Sequence, residues 1–281
     1  MSRTLYVTDL DGTLLAPDAT VSAETARIMR RLAADGVMVT CATARTPATV
    51  DPLLADCNIP LPGVVMTGAA DWDFAAKAYR NVKFITPEVV RAIDDIFAGE
   101  TMKPFVYTLP DVKAPLQVYH SGQLLNDYER RFYHERSHLP LKYFHLGATP
   151  DAGLDSCHIL YFAMGDPATV DRIAARLYDL PGCYISNYRD TYDPGIGLIE
   201  VFADKVDKAS AVSELKRRSG ADRLVVFGDN LNDLSMFAVA DTAVAVENAL
   251  PQVKERADVV IGPNSADAVP RYIAKQEGIV I

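Results

Sequence analysis

Short apolar runs alternate with helical stretches in the first part of this chain. Residues 5–8 and 37–41 are apolar and rich in β-branched side chains, which predicts two strands, and a third short strand is predicted at 64–66. Between the first two strands, Ser22 can cap a helix that ends at Gly36. This alternation of strands and helices is typical of a parallel sheet covered on both faces.

The last part of the chain repeats the same pattern. Strands are predicted at residues 198–202, 224–227, 243–246 and 258–261, and helices at 207–218, from about 231, and at 266–276. Ligands of parallel sheets bind at the carboxyl ends of the strands. The residues that follow each predicted strand are therefore the first candidates for a functional site.

The middle of the chain, residues 82–188, has a different character. It contains all five histidines and many tyrosines, with strands predicted at 105–108, 116–119, 158–163 and 183–186. Helices are predicted near 87–98, 125–134 and 168–177. With 281 residues the chain is long for one compact core. We expect an α/β core formed by residues 1–81 and 189–281, and an inserted α+β domain formed by residues 82–188.

Composition and charge exclude several classes of partner. Hydrophobic residues make up 49% and charged residues 23%, which are ordinary values for a globular protein. The net charge of −9 argues against a nucleic-acid surface and against binding to an anionic membrane. The N-terminal stretch lacks the apolar segment of a signal peptide, and the four cysteines are scattered, which favours reduced thiols. We expect a soluble cytoplasmic protein.

Two carboxylates, Asp9 and Asp11, lie two residues apart directly after the first predicted strand. Gly12 lets the backbone turn and Thr13 adds a hydroxyl. Carboxylates this close repel each other, so one shifts its pKa or both share a cation. In a phosphate-handling site, one would attack phosphorus, the other would move a proton, and a metal ion would neutralise both. The alternative is a solvated β-turn, because Asp, Gly and Thr are common turn residues.

Three further motifs occur at strand ends or helix starts. Thr43 and Arg45 follow the second strand, Lys208 begins a helix, and residues 228–233 (Gly-Asp-Asn-Leu-Asn-Asp) connect a strand to a helix. Each has an ordinary explanation when taken alone: Lys208 as a solvated helix lysine, Thr43 as a hydroxyl bonded to its own backbone, and 228–233 as an acidic helix cap.

Taken together, the four motifs favour one pocket. If the strand ends point the same way, the carboxylates of Asp9, Asp11, Asp229 and Asp233 crowd together. Buried carboxylates without cations cost several kcal/mol each. Lys208 supplies one positive charge, and Mg²⁺, which prefers oxygen ligands, would supply two more.

With these motifs the chain resembles the haloacid dehalogenase superfamily of phosphohydrolases, and within it the Cof-type branch, subclass IIB. Residues 9–13 match the first motif of that family, Thr43 with Arg45 the second, Lys208 the third and residues 228–233 the fourth. The chain departs from the usual pattern at four places outside the ionisable set, which are Ala44, Thr67, Ala209 and Glu247. The resemblance implies a Rossmann-like parallel-sheet core with an inserted α/β cap domain, whose residues would set substrate specificity.

The resemblance also implies the roles of individual residues. Asp9 would be the nucleophile and Asp11 the general acid and base. Phosphate oxygens would be held by one set of residues, and Mg²⁺ by another set, to which Asp9 would contribute a carboxylate oxygen and Asp11 its backbone carbonyl. The first set is Gly12, Thr43, Arg45, Lys208, Asn232 and Asn248; the second is Asp9, Asp11, Asp229 and Asp233.

The implied activity is Mg²⁺-dependent hydrolysis of phosphate monoesters through an aspartyl phosphate. The expected partner is a small phosphorylated metabolite, with sugar phosphates first and pyridoxal phosphate second. Two alternatives stay open. A phosphotransferase or phosphomutase would pass the phosphoryl group to a sugar hydroxyl, and a non-catalytic sensor would only bind a sugar phosphate.

Overall fold

The computed structural model describes residues 3–190 and 193–281. The strands, in chain order, are β1 (Thr4–Thr8), β2 (Met38–Cys41), β3 (Gly63–Val65), β4 (Ala70–Asp73), β5 (Ala78–Arg80), β6 (Phe105–Thr108), β7 (Leu116–His120), β8 (Lys142–Leu146), β9 (His158–Gly165), β10 (Cys183–Arg189), β11 (Gly197–Ala203), β12 (Arg223–Gly228), β13 (Thr242–Ala245) and β14 (Val259–Val260). The α-helices are α1 (Ala23–Ala34), α2 (Pro47–Leu53), α3 (Pro87–Ala98), α4 (Asp127–Arg136), α5 (Pro167–Tyr178), α6 (Lys208–Ser219), α7 (Leu234–Phe237), α8 (Pro251–Lys254) and α9 (Ala268–Gln276).

The chain forms two compact units. The first consists of Met1–Arg80 together with Asp207–Ile281, and the second, Asn81–Val206, is inserted between them in the sequence. The first unit, called the core unit below, contains a five-stranded sheet in the order β14-β13-β12-β1-β2. All neighbouring pairs in this sheet are parallel, which confirms the expected α/β fold.

The register of the central strands determines where the polar residues that follow them lie. Thr8, the last residue of β1, pairs with Phe227 of β12 on one side and with Cys41 of β2 on the other. The β-strands are apolar and buried on both faces, as expected for a covered parallel sheet. Consequently the residues that follow β1, β2 and β12 leave the sheet at the same edge.

A small antiparallel sheet of β3, β4 and β5 completes the core unit, and its last two strands were not predicted from the sequence. The turn Met66–Gly68 connects β3 to β4, and its Gly68 has a φ of 101°. A Cβ at this glycine would lie 2.5 Å from the carbonyl oxygen of Asp207. The turn therefore packs against the residue that caps α6, and only glycine fits there.

The second unit, called the inserted unit below, contains a six-stranded sheet in the order β10-β11-β9-β6-β7-β8. The pairs are antiparallel except β7 with β8, which is parallel. Helix α5 packs against β9, β10 and β11, and α4 packs against β9. Among the described residues, no helix combines the length and the apolar character needed to cross a membrane.

The structure corrects the expected position of one strand. The run at 198–202 was expected in the core sheet, but it forms part of β11, which pairs with β9 and β10 of the inserted unit. The second boundary between the units therefore falls after Val206 and not near residue 188. The reason for the error is physical: a strand in the middle of a covered sheet is apolar on both faces, whichever sheet it belongs to.

Candidate active site

Asp9 is the first residue after β1, and its backbone is held by two contacts. Its N–H donates to the carbonyl of Phe227 at 3.0 Å, and the Thr8 hydroxyl donates to the carbonyl of Asp9 at 2.6 Å. The residue is only 7% exposed. Burial raises the pKa of Asp9 above its ordinary value, although the neighbouring Lys208 ammonium opposes that rise.

Lys208 is the first residue of α6. Asp207 caps this helix, because its carboxylate accepts from the N–H of Ser210 at 2.7 Å. The Lys208 ammonium is 1% exposed and donates to Asp9 Oδ1 at 2.6 Å and to Asp233 Oδ1 at 2.8 Å. Burial alone would lower the pKa of Lys208, but the two carboxylates outweigh it and hold that pKa above its ordinary value.

Asp233 accepts hydrogen bonds both from the Lys208 ammonium and from the backbone of the fourth motif. It is fully buried, and while Oδ1 accepts from Lys208, Oδ2 accepts from the N–H groups of Asp229 and Asn230 at 3.1 Å each. A Cβ on Gly228 would lie 2.5 Å from the Cβ of Asp233, so the strand end and this side chain are in close contact. Every oxygen of this carboxylate is thus already engaged by the protein.

Asp229 lies between the first and fourth motifs. Its Oδ1 accepts from the Thr13 hydroxyl at 2.8 Å, and a Cβ on Gly12 would overlap Asp229 Oδ2. Gly12 has a φ of 75°, so both its backbone conformation and this close approach require glycine. Burial raises the pKa of Asp229 to about 6, with the Thr13 hydrogen bond acting in the opposite direction.

Three carboxylates of the core unit are close enough to share one cation. Asp9, Asp229 and Asp233 each offer an oxygen within 4.8 Å of the other two. Only one buried ammonium, that of Lys208, contacts this cluster within the described residues. A hard divalent cation with a preference for oxygen, such as Mg²⁺, fits both the donor set and the excess of negative charge.

Asp11 is separate from this cluster. Its side chain is 53% exposed, and both of its oxygens accept from Arg45, Oδ2 from Nε at 2.7 Å and Oδ1 from Nη2 at 2.5 Å. The structure therefore brings Asp9, Asp229, Asp233 and Lys208 together, whereas the side chain of Asp11 faces the second motif. The expectation that the Asp11 carboxylate joins the other three is therefore wrong in this arrangement. The metal contact expected from Asp11, through its backbone carbonyl, stays a prediction.

The remaining expected phosphate-binding residues lie around the same edge. Thr43 is 1% exposed, and its hydroxyl accepts from the N–H of Arg45 at 3.1 Å. Asn232 is exposed on the short turn Leu231–Asp233. Asn248 donates to the carbonyl of Gly12 at 2.7 Å, so its amide holds the first motif in place.

Sequence reasoning missed the contribution of Asn264. Its N–H donates to Asn248 Oδ1 at 2.9 Å, and its side-chain amide donates to the carbonyl of Leu15 at 2.8 Å. It thereby ties Asn248 to the residues after the first motif. No spacing pattern in the sequence identifies an asparagine of this kind, because one of its partners, Leu15, lies 249 positions away.

Comparison with known proteins places this arrangement in context. A family model described as haloacid dehalogenase-like hydrolase matches residues 6–273. The 5-amino-6-(5-phospho-D-ribitylamino)uracil phosphatase YwtE of Bacillus subtilis is 25% identical, covering 94% of this chain and 95% of its own. The pyridoxal phosphate phosphatase YbhA of Escherichia coli is 23% identical, covering 97% of this chain and 98% of its own.

Solved structures share the fold over the full length. A haloacid dehalogenase-like hydrolase from Bacteroides thetaiotaomicron has a TM-score of 0.78 at 22% identity, covering 98% of this chain and 99% of its own. The subclass IIB sugar phosphatase BT4131 has a TM-score of 0.73 at 21% identity, covering 99% of this chain and 100% of its own. At these identities the structures establish the fold alone.

Proposed function

Because this chain belongs to the haloacid dehalogenase-like hydrolases, we propose that it is a Mg²⁺-dependent phosphatase that cleaves small phosphate monoesters through an aspartyl phosphate on Asp9. One observation carries the proposal. Asp9 is buried at the end of β1, with Oδ1 held by Lys208 at 2.6 Å and two further carboxylates beside it. This combination positions a nucleophile and supplies a place for the cation that a phosphate ester requires.

The first half of the reaction is a displacement at phosphorus. Lys208 holds Asp9 Oδ1, while Oδ2 makes no hydrogen bond to a described residue and is the oxygen that attacks. The new Asp9–phosphorus bond forms as the ester oxygen leaves, and Asp11 gives that oxygen its proton. The Lys208 ammonium also balances charge on the transferring group.

The second half regenerates the enzyme. Asp11, now a carboxylate, takes a proton from water, and the water oxygen attacks phosphorus. The bond to Asp9 breaks, inorganic phosphate is released, and the Asp9 carboxylate is restored. Before Asp11 can serve as a proton donor, its carboxylate must leave Arg45, because both of its oxygens accept from that guanidinium.

Mg²⁺ would be held by Asp9 and Asp229, with Asp233 orienting the loop that presents Asp229. When bound, it would supply positive charge that lets the Asp9 carboxylate and a phosphate dianion approach each other. Thr13 supports the position of Asp229 by its hydrogen bond to that carboxylate. Gly12 supports it because the lack of a side chain leaves room for the Asp229 carboxylate.

The substrate class is proposed from the relatives. The names of two full-length relatives specify a phosphorylated ribityl chain and pyridoxal phosphate, and a structural neighbour is a sugar phosphatase. The shared chemistry is a phosphate monoester of a small hydroxylated metabolite. We place sugar and polyol phosphates first and pyridoxal phosphate second.

The test is a phosphate-release screen with Mg²⁺ over phosphorylated sugars, polyols, pyridoxal phosphate and nucleotides, with Asp9→Asn as the control for contaminating phosphatases. Release from one or more small esters, absent in the control, is the expected result. An isomeric sugar phosphate formed without phosphate release would indicate a phosphomutase. Tight binding without either product would indicate a sensor.

A further inference from the structure

Lys142 is a buried lysine that has no acidic partner and plays no part in the chemistry described above. It is the first residue of β8 and only 2% exposed, and its ammonium makes no hydrogen bond or ion pair with a described residue. The nitrogen lies 5.3 Å from the centre of the Tyr107 ring and 5.9 Å from that of Phe144. The buried Lys208, by contrast, contacts two carboxylates. A fully buried lysine without such a partner is rare and calls for an explanation.

The charged group that acts on Lys142 is Arg136, and it has the same sign. Arg136 is the last residue of α4, and its guanidinium lies 4.5 Å from the centre of the Phe132 ring. The Phe132 and Phe144 rings are 6.4 Å apart, so the two cations border one aromatic cluster. Burial lowers the pKa of Lys142 to about 7, and the charge of Arg136 adds to that shift. Above pH 7 the amine is therefore mostly neutral, with a lone pair on Nζ.

The guanidinium of Arg136 keeps two of its nitrogens available as donors. Its Nη1 donates to the carbonyl of Phe132 at 3.4 Å and to Glu135 Oε2 at 2.8 Å. Nε and Nη2 make no hydrogen bond to a described residue. A guanidinium binds a carboxylate group through two parallel hydrogen bonds of this kind. The cluster thus combines a mostly neutral amine with a pair of donors suited to an anion.

A small reagent can reach the amine of Lys142. Among the described residues, the buried polar atoms that lack a hydrogen-bond partner belong to Tyr79, Thr108, His120 and Asn187. Lys142 Nζ is not one of them, although it also lacks a partner, so part of the small exposed area of this residue lies on its nitrogen. Such limited access favours a reagent of a few atoms over a large one.

We propose that Lys142 is a carbamylation site, at which the amine binds CO₂ covalently. Nζ attacks the carbon of CO₂, an N–C bond forms as one C=O electron pair moves onto oxygen, and the nitrogen releases a proton to solvent. The product is a carbamate with one negative charge, and its two oxygens accept from Nε and Nη2 of Arg136. Repulsion between two cations is thereby replaced by attraction between an anion and a cation. This inference does not depend on the proposed phosphatase activity.

The test is ¹³C NMR of the full chain at pH 8 with ¹³C-labelled bicarbonate. We expect a carbamate signal in the wild type that Lys142→Met lacks. The α-amino group also forms a carbamate at this pH, and its signal should be present in both proteins. Trapping with triethyloxonium ion followed by peptide mass spectrometry locates the modified residue. The exposed Lys113 should carry at least about tenfold less adduct than Lys142, since lysines in water are almost entirely protonated at pH 8.

Arg136→Met removes the guanidinium that binds the carbamate, and it should lower carbamate occupancy at a fixed CO₂ pressure at least about fivefold. At pH 8 the Lys142 amine is already mostly neutral, so loss of the like charge adds little to its reactivity. Arg130→Met is the matched control on α4, because Arg130 pairs with Asp127 and both side chains are exposed. It should change the occupancy by less than about twofold. Circular dichroism checks that the variants fold.

An equal set of signals in the wild type and Lys142→Met, or equal adduct on Lys142 and Lys113, would overturn the proposal. A rise in Tm with bicarbonate but without a carbamate signal would indicate a free anion between the two cations, and would overturn it as well. Equal occupancy in Arg136→Met and Arg130→Met would overturn the role of the guanidinium. Turnover is not among these readouts, so a failure of the proposed phosphatase activity would leave the result unaffected.

Discussion

Arg45 donates from Nε and Nη2 to both carboxylate oxygens of Asp11, at 2.7 and 2.5 Å. This bidentate pair joins the first and second motifs, which are separated by 34 positions in the sequence. It also means that the expected proton donor is bound by a cation in the arrangement seen here. In the proposed mechanism, proton transfer by Asp11 therefore requires Arg45 to exchange this carboxylate for another anion, and the phosphate of a substrate is the natural replacement.

Asp11→Asn should lower kcat more for an alkyl phosphate than for p-nitrophenyl phosphate. An alkoxide leaving group needs a proton, whereas p-nitrophenolate is stable without one. Parallel assays of the two esters measure the difference. Arg45→Met is the companion variant, and it should raise KM more than it lowers kcat, because Asp11 stays intact. Equal losses with both esters in Asp11→Asn would contradict its role as general acid.

Asp9→Asn should reduce phosphate release by at least about a thousandfold, because an amide cannot form the acyl phosphate. The substitution is nearly isosteric, and the backbone contacts of Asp9 with Phe227 and Thr8 do not involve the side chain. Circular dichroism should therefore remain that of the wild type. Activity within tenfold of wild type would rule out Asp9 as the nucleophile.

Lys208→Met should destabilise the core unit by about 3 kcal/mol, because it leaves the buried carboxylates of Asp9 and Asp233 without their shared cation. Urea denaturation followed by the fluorescence of Trp72, which belongs to the core unit, measures the effect.

Lys216→Met is the matched control on the same helix. Lys216 pairs with Asp241 at 2.7 Å, but both side chains are partly exposed, so its loss should cost less than about 1 kcal/mol. Similar losses of stability in the two variants would show that the burial of the Lys208 ion pairs does not account for the destabilisation of Lys208→Met.

Activity should require Mg²⁺, and excess chelator should abolish it. Ca²⁺ should not restore it, because its larger and looser coordination shell does not hold the reacting groups in line. Thermal shift provides a readout that is independent of turnover: Mg²⁺ should raise Tm in the wild type and less in Asp229→Asn. Full activity in excess chelator would exclude a requirement for Mg²⁺.

The stability of the inserted unit should depend on pH through Lys142. This lysine is 2% exposed, its ammonium lies 5.3 Å from the centre of the Tyr107 ring, and burial lowers the pKa of Lys142 to about 7. Between pH 7 and 10.5 the unfolded chain binds a proton that the folded chain does not, so stability rises with pH across that window. Below pH 7 the folded protein bears the full free-energy cost of burying the Lys142 charge.

Lys142→Met should therefore stabilise the protein by a few kcal/mol at pH 6 and by much less at pH 9. Denaturation at the two pH values measures this difference. The exposed Lys113 provides a control, since Lys113→Met should give stability curves parallel to those of the wild type. A constant difference between Lys142→Met and wild type at both pH values would contradict the assigned pKa.

Much of the core could be predicted from local pattern. The strands that precede Asp9 and Thr43 were predicted within one residue, because short apolar β-branched runs bounded by turn residues leave few alternatives. Helix α6 was predicted from the helical spacing of residues 207–218 and the glycine at 220. In the structure Asp207 caps it and Gly220 ends it in the left-handed conformation. The grouping of Asp9, Asp229 and Asp233 then followed from the rule that the carboxyl ends of parallel strands lie at one edge of the sheet. Lys208 joins them from the start of α6, and the strand that precedes it belongs to the other sheet.

The rest depends on contacts that a sequence pattern does not encode. The run at 198–202 was placed in the wrong sheet, since its apolar character does not specify its pairing partner. Strand β8 was missed because its residues, Lys142–Leu146, mix charged, aromatic and exposed positions. The pairing of Asp11 with Arg45 and of Asn248 with Gly12 depends on side-chain direction, which spacing alone cannot determine.

The position of the inserted unit in the sequence has a consequence for how the core unit forms. Lys208 contacts Asp9 across 199 positions of the chain, and the whole of Asn81–Val206 lies between them. Closing so long a loop carries an entropic cost, and contacts of this range form late in folding. A nascent chain that ends before Lys208 therefore holds Asp9 without its counterion, and the charge balance of the site arises only when the second segment of the core has been made.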